Sequence, residues 1–164
     1  MSSDLLSHRR AGSGVGAPDT SAAHRGGLRI VLTSTASDAH TWNLVFLQLL
    51  LEELGHRVVN LGPCVPEELL IAKCTEHRPD LIVVSTVNGH GHLDGVRLIS
   101  AVRSDPGLGA VPAVIGGKLG VLGTGDPART SALLAAGFSA VFEDGEGLGP
   151  LRSYLDALSV GAGA

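Results

Sequence analysis

Cysteine is scarce in this chain: Cys64 and Cys74 are the only two among 164 residues. Two thiols cannot build a disulfide scaffold, and their spacing is not the CxxC of a zinc or redox pair, so a reducing, cytoplasmic setting is expected. Charge of one sign is also scarce. The formal net charge of -4 comes without a basic patch or a long charge run, which argues against a surface that tracks nucleic-acid phosphates. Long apolar runs are missing as well, since the longest, Leu44 to Leu51, falls far short of the roughly 20 residues needed to cross a bilayer. No GxGxxG follows the first apolar run, no P-loop sequence occurs, and no internal repeat is visible. Residues 1–27 are rich in Ser, Ala, Gly and Arg and lack a sustained apolar core, so they read as a disordered extension rather than a secretory signal.

What is present is ample apolar material for one packed domain, at 44% hydrophobic residues. From Leu28 onward short aliphatic runs alternate with longer helical stretches. The runs Leu28 to Leu32, Arg57 to Asn60, Asp80 to Val84, Ala113 to Ile115 and Ala140 to Phe142 predict strands, being brief, aliphatic or β-branched and bounded by Gly, Pro or polar residues. Helices are predicted over Asn43 to Leu54, Pro66 to His77, Leu93 to Ser104, Pro127 to Ala136 and Glu146 to Leu158, leaving residues 159–164 as a frayed tail. Pro66 and Pro127 suit a first helical position, Glu67 and Glu68 favour the positive end of a helix dipole, and Gly55 and Gly137 suit the position after a helix. This alternation implies a doubly wound α/β domain over residues 28–158. Its five buried parallel strands would take the order 2-1-3-4-5, with ligands bound beyond the carboxyl ends of strands one and three.

Three stretches at that edge carry candidate chemistry. After strand one, Asp38 and His40 stand two residues apart. A ligating imidazole commonly gives its second ring N–H to a carboxylate, which would be the part of Asp38; alternatively Asp38 caps the next helix and His40 is merely solvated. After strand three comes Ser85-Thr86-Val87-Asn88-Gly89-His90-Gly91-His92, and after strand four Gly116-Gly117-Lys118-Leu119-Gly120. The glycines permit close approach of a ligand, or simply tight turns. His90 and His92 form an HxH without accompanying carboxylates and are assigned at most to the rim. Cys64 is placed off the ligand edge and Cys74 inside a helix, both as packed or unreactive thiols.

Asp38-Ala39-His40-Thr41-Trp42-Asn43, then Ser85-Thr86-Val87, then Gly116-Gly117 resemble the DxHxxG, SxL and GG signature of the cobalamin-binding domains of adenosylcobalamin mutases and methionine synthase, at matching intervals. Within that superfamily the sequence is most similar to the small subunit of glutamate mutase, also called methylaspartate mutase. The likeness runs from about Leu28 to Leu158, through Val59-Asn60-Leu61-Gly62, Pro66-Glu67-Glu68 and Gly89-His90-Gly91. Two positions depart from the signature: Asn43 replaces its glycine and Val87 its leucine. The second keeps an apolar wall. The first adds a side chain where the motif leaves space.

The resemblance implies a flavodoxin-like domain that holds adenosylcobalamin, with His40 as axial cobalt ligand and Asp38 as its hydrogen-bond partner. It implies that Ser85 bonds the displaced nucleotide tail, that Thr86, Val87 and the strip Gly116, Gly117, Lys118, Leu119 and Gly120 line its channel, and that Ser37, Ala39 and Thr41 touch the cofactor around the ligand. Lys118 could equally be solvated, and Trp42 could cover the corrin, meet a partner or anchor its helix. It further implies a radical 1,2-rearrangement of an amino acid, an isomerase activity that needs a separate large catalytic subunit to bind the substrate, in a heterodimer or heterotetramer. Alternatives are a stand-alone corrinoid carrier or sensor, for which residues 1–27 are too short and polar to supply the usual helical domain, and a degenerate paralogue with weak cofactor binding. A phosphoacceptor receiver would need an Asp where strand three ends in Ser85.

Overall fold

The computed structural model describes residues 26–121 and 125–162; the expected N-terminal extension lies almost wholly outside them. Five strands, β1 (Arg29–Thr33), β2 (Arg57–Asn60), β3 (Leu81–Thr86), β4 (Ala113–Gly117) and β5 (Ala140–Glu143), alternate with helices α1 (Trp42–Glu53), α2 (Glu67–His77), α3 (Gly91–Ser104), α4 (Pro127–Ala136) and α5 (Gly149–Ala162). All pairings are parallel and the order is β2-β1-β3-β4-β5, as the pattern of apolar runs predicts. The sheet is apolar on both faces because helices cover both. Val31, Ile82, Val84 and Ile115 pack with Leu98, Ile99 and Leu133 on one face, and Ile30, Leu32, Val83 and Val114 with Leu44, Leu51 and Leu155 on the other. Among the described residues no helix is long and apolar enough to cross a membrane.

Several boundaries differ from the sequence reading, and the differences fall at the ligand edge. β3 runs on through Ser85 and Thr86, and β4 through Gly116 and Gly117, paired Ser85 with Gly116 and Thr86 with Gly117. Residues expected in loops therefore sit in the ladder. Polar side chains and glycines lack the β-branched signature of a strand, yet backbone pairing with a neighbour overrides that preference. α3 begins at Gly91, so His92 lies on a helix and not in a flexible turn. α5 starts later than expected and continues to Ala162, so residues 159–162 are helical instead of frayed. Pro66 is the residue before α2 and not its first turn, whereas Pro127 opens α4 with the Asp126 carboxylate accepting the Ala128 N–H at 3.0 Å.

Candidate cofactor site

The loop from β1 to α1 is held by Asp38. Its side chain is fully buried and all its acceptor capacity is used: Oδ1 accepts the His40 backbone N–H at 3.0 Å and the His40 ring at Nδ1 at 2.6 Å, and Oδ2 accepts the Thr86 hydroxyl and the Val87 N–H, each at 2.7 Å. Burial alone would push this carboxyl up, but the four hydrogen bonds outweigh it and hold the group below its ordinary value. Asp38 is thus an ionised, acceptor-only partner, and Nδ1 of His40 must be the donor. Nε2 then carries the ring's lone pair. The ring itself is 60% exposed. The main chain is fixed as firmly, because the Asp38 carbonyl accepts the Cys64 N–H at 2.9 Å and the Ser34 hydroxyl at 3.3 Å. Asp38 does not cap α1, whose preceding residue is Thr41 and has no side-chain cap.

The Cys64 contact corrects its expected place away from the ligand edge: the β2–α2 loop closes directly onto the Asp38 main chain, with Cys64 exposed and at φ 52°. Ser37 is exposed, accepts from Asn88 Nδ2 at 2.8 Å and donates to Asp94 on α3. Ala39 and Thr41 are exposed beside the imidazole.

Two concavities lie at this edge, the first lined by His40 and the second not. One is a shallow depression of about 530 Å³ whose wall is His40, Asn43, Val87 and the exposed side chains Trp42, Phe46 and Leu49 of α1. The other is a cleft of about 480 Å³ that runs between α1 and α5 over β3, β4 and β5. Its floor is Val83, Ser85, Val114, Gly116 and Gly117; its far wall is the β5–α5 connection with Gly145, Gly147 and Leu148. Asn43, Phe46 and Val87 belong to both, so they form the partition between the depression and the cleft.

Asn43 does more than occupy space there. Its Nδ2 donates to the Ser85 hydroxyl at 2.8 Å, while its Oδ1 is buried with no hydrogen-bond partner among the described residues. The residue that departs from the signature is therefore bonded to the residue expected to hold the tail.

Of the residues expected along the tail's channel, Ser85, Val87, Gly116 and Gly117 line this cleft, and Thr86, Lys118, Leu119 and Gly120 do not. Thr86 is buried and spends its hydroxyl on Asp38. Leu119 points into the core on the α3 side of the sheet, Lys118 is exposed, and Gly120 lies against Arg129. The glycine pair has a structural reason too: Gly117 sits at φ 108° and a Cβ on it would collide with the Thr86 carbonyl oxygen, while one on Gly116 would stand 3.0 Å from the Phe142 carbonyl oxygen. Sequence reading missed the β5–α5 wall. Its only signal was the pair Gly145 and Gly147, both of which adopt positive φ. Among the described residues no three His, Cys, Asp or Glu side chains gather as a metal site, and His90 and His92 are not part of one.

A buried carboxylate that orients an exposed imidazole after β1, with a largely apolar cleft over β3, β4 and β5 at the same carboxyl edge, fits the flavodoxin-like class, whose members bind ligands beyond the carboxyl ends of the strands. The chain belongs to the B12-binding domain family, whose family model it matches over residues 28–149. The cofactor this family implies is cobalamin. The glutamate mutase sigma subunit of Fusobacterium nucleatum is 35% identical over 94 residues, 56% of this chain and 67% of that protein. Glutamate mutase sigma subunit 1 of Haloarcula marismortui is 30% identical over 70% of this chain and 74% of its own. Among solved structures, a cobalamin-binding protein from Desulfitobacterium hafniense superposes with a TM-score of 0.59 at 18% identity, covering 83% of this chain and 58% of that one. A chemotaxis response regulator of Vibrio cholerae does so at 0.61 and 16%, covering 80% and 98%. At such identities the superpositions establish the fold alone.

Proposed function

We propose that this chain is the cobalamin-binding small subunit of an adenosylcobalamin-dependent carbon-skeleton mutase, with His40 as axial cobalt ligand. The observation that carries the reading is the Asp38–His40 pair: a buried, ionised carboxylate accepts the Nδ1–H hydrogen bond and leaves the Nε2 lone pair of an exposed ring free to ligate, beside the depression against α1. The residues fit the group. The cleft, of about 480 Å³, has apolar walls suited to a flat base and sugar, and the Ser85 hydroxyl gives it a polar point of attachment once released from Asn43. Phe46 and Trp42, exposed in the depression, would offer hydrocarbon to a bound corrin, and Ser37, Ala39 and Thr41, exposed around His40, would border it. When bound, adenosylcobalamin supplies a weak cobalt–carbon bond whose homolysis starts radical chemistry.

The chain's own part is to hold and orient. Four donors on Asp38 fix the carboxylate, the carboxylate fixes the ring, and the β3 main chain at Val87 ties both to the sheet. In this reading the cobalamin-binding unit spans residues 28–158, works in the cytoplasm, and meets a separate large subunit that binds the amino-acid substrate and covers the corrin's upper face. The similarity to glutamate mutase sigma subunits supports glutamate or a related acid as that substrate.

The test is an absorbance titration with adenosylcobalamin followed by EPR of the Co(II) form in protein carrying ¹⁵N-histidine. Nitrogen superhyperfine coupling that is lost in His40→Ala is the expected result. An unchanged spectrum at saturating protein would overturn the ligand assignment. Trp42, the sole tryptophan and 82% exposed, gives a second readout through quenching by the bound corrin.

A further inference from the structure

A second set of side chains, next to the Asp38–His40 pair, joins the β1–α1 loop to the turn between β3 and α3. We propose that Asn88, in that turn, is a positioning residue for the His40 imidazole, a role that rests on the reading of His40 as cobalt ligand. It clamps Ser37, the residue before Asp38, and so steadies the loop that aims the ring.

The direction of each bond is fixed by its partners. The His90 main-chain N–H can only donate, and it meets Asn88 Oδ1 at 2.9 Å. The other end of the amide is therefore Nδ2, which donates to Ser37 Oγ at 2.8 Å. The Ser37 hydroxyl accepts there and gives its own proton to the Asp94 carboxylate in the first turn of α3. Amide, hydroxyl and carboxylate thus form one directed relay across three segments. Asn88 also stands against a donor that serves Asp38: the Thr86 hydroxyl, 2.7 Å from Asp38 Oδ2, is 3.2 Å from Asn88 Oδ1. One side chain therefore touches Asp38's neighbour in sequence, Ser37, and its neighbour in space, Thr86.

The two ends of the amide have different tasks. Oδ1 closes the turn onto His90, whereas Nδ2 reaches across to the loop that carries the ligand. Asp38 is buried, but Ser37 is exposed and the bonds of the clamp are open to water, so they add little to the stability of the uncovered chain. A corrin bordered by Ser37 would exclude that water, and the same bonds are stronger in a drier setting. The clamp therefore holds the loop most firmly when the ring is loaded, and its loss should be felt in affinity more than in folding.

Asn88→Asp separates the tasks: a carboxylate oxygen still accepts the His90 N–H, but the donor to Ser37 is gone and two carboxylates face one hydroxyl proton. In the full chain, titration of Trp42 fluorescence with adenosylcobalamin should show binding about threefold to tenfold weaker than in the wild type, with the urea midpoint of the corrinoid-free protein little changed. Adding Asp94→Asn exchanges the two groups, lets the relay run in the opposite sense, and should recover most of the lost affinity. Ser37→Ala, at an exposed position, breaks the clamp from its other end and should match Asn88→Asp. The ¹³C relaxation of the His40 ring in corrinoid-free protein reads positioning without the cofactor: the ring should be more mobile in Asn88→Asp and regain order in the paired variant. Wild-type affinity in Asn88→Asp, no recovery in the paired variant, or an unchanged ring would each overturn the role. If the wild type itself binds no corrinoid, the cobalt reading fails, and the order of the ring still decides whether Asn88 positions His40.

Discussion

The amide of Asn43 and the hydroxyl of Ser85 are joined at 2.8 Å across the partition between the depression beside His40 and the long cleft. A cofactor tail held by Ser85, as proposed, would have to displace or share this bond. Asn43→Gly removes the bond, frees the Ser85 hydroxyl and deletes a buried carbonyl oxygen that has no partner among the described residues. We expect cobalamin affinity to rise by about tenfold, one hydrogen bond's worth at roughly 1.4 kcal/mol. Glycine near the start of α1 costs up to about 1 kcal/mol of stability, which relief of the unpartnered oxygen offsets. Fluorescence titration of Trp42 checks it; unchanged or weaker binding would mean that Asn43 is itself a productive contact.

The two glycines that end β4 should behave differently. Gly117→Ala forces a side chain into the left-handed region at φ 108° and against the Thr86 carbonyl, so it should lose about 2 kcal/mol or more of stability in urea unfolding. It also disturbs Thr86 and, through its hydroxyl, Asp38. In Gly116→Ala the Phe142 carbonyl, 3.0 Å away, needs to yield by only a few tenths of an ångström. That variant should fold nearly as well and lose cofactor affinity through a narrower cleft floor. Equal stability loss in the two would refute the distinction.

The strand order was legible because each apolar run of β1 to β5 is short and bounded by breakers, and parallel strands covered on both faces leave no polar alternation to confuse the period. The motif residues Asp38, His40 and Ser85 were legible by type and interval. Their connections were not. Nothing in the spacing says that Thr86 turns its hydroxyl to Asp38, that the Cys64 main chain closes on the same residue, or that Asn43 bonds Ser85, since each joins segments remote in sequence and depends on the register of β3 beside β1. Leu119 and Gly120 lie outside the cleft for a related reason, while Lys118 is exposed, one of its two expected places. The chain leaves β4 at Gly117 with positive φ, which turns the strip away from the cleft toward α3 and α4.

The two thiols should separate cleanly. Cys64 is exposed, whereas Cys74 is buried among Leu70, Ile82 and Val31, and burial pushes its thiol up to about 12. At pH 8 one equivalent should react rapidly with a disulfide reagent in the folded protein, and the second only after urea is added. Because folding favours the protonated thiol, its contribution to stability is whole below the unfolded value near 9.0 and is lost as pH rises from there toward 12. Cys74→Ala should flatten that alkaline loss while leaving a small cavity.

Asp38 sets the opposite limb. Its carboxyl is held below the ordinary 3.8 in the folded chain, so the stabilisation it gives is fully present above that value and disappears as pH falls through the folded one. As pH falls below 3.8 the wild type should therefore lose urea stability faster than Asp38→Asn, with the two curves converging at the acid end. Asp80, lowered by Arg29, and Glu76, lowered by Lys73, contribute to the same window in both proteins and cancel in the comparison. At pH 7 the variant should already be less stable by about 1.5–3 kcal/mol, because an amide cannot accept from all four donors without presenting its own N–H groups to some of them. Its effect on cofactor binding separates positioning from bulk destabilisation. Loss of the carboxylate frees the His40 tautomer and ring orientation, and cobalamin affinity should fall about 10- to 100-fold, measured at a urea-free pH 7 where both proteins are folded. If affinity is unchanged while stability drops, Asp38 is a fold-holding residue and His40 finds its orientation without it.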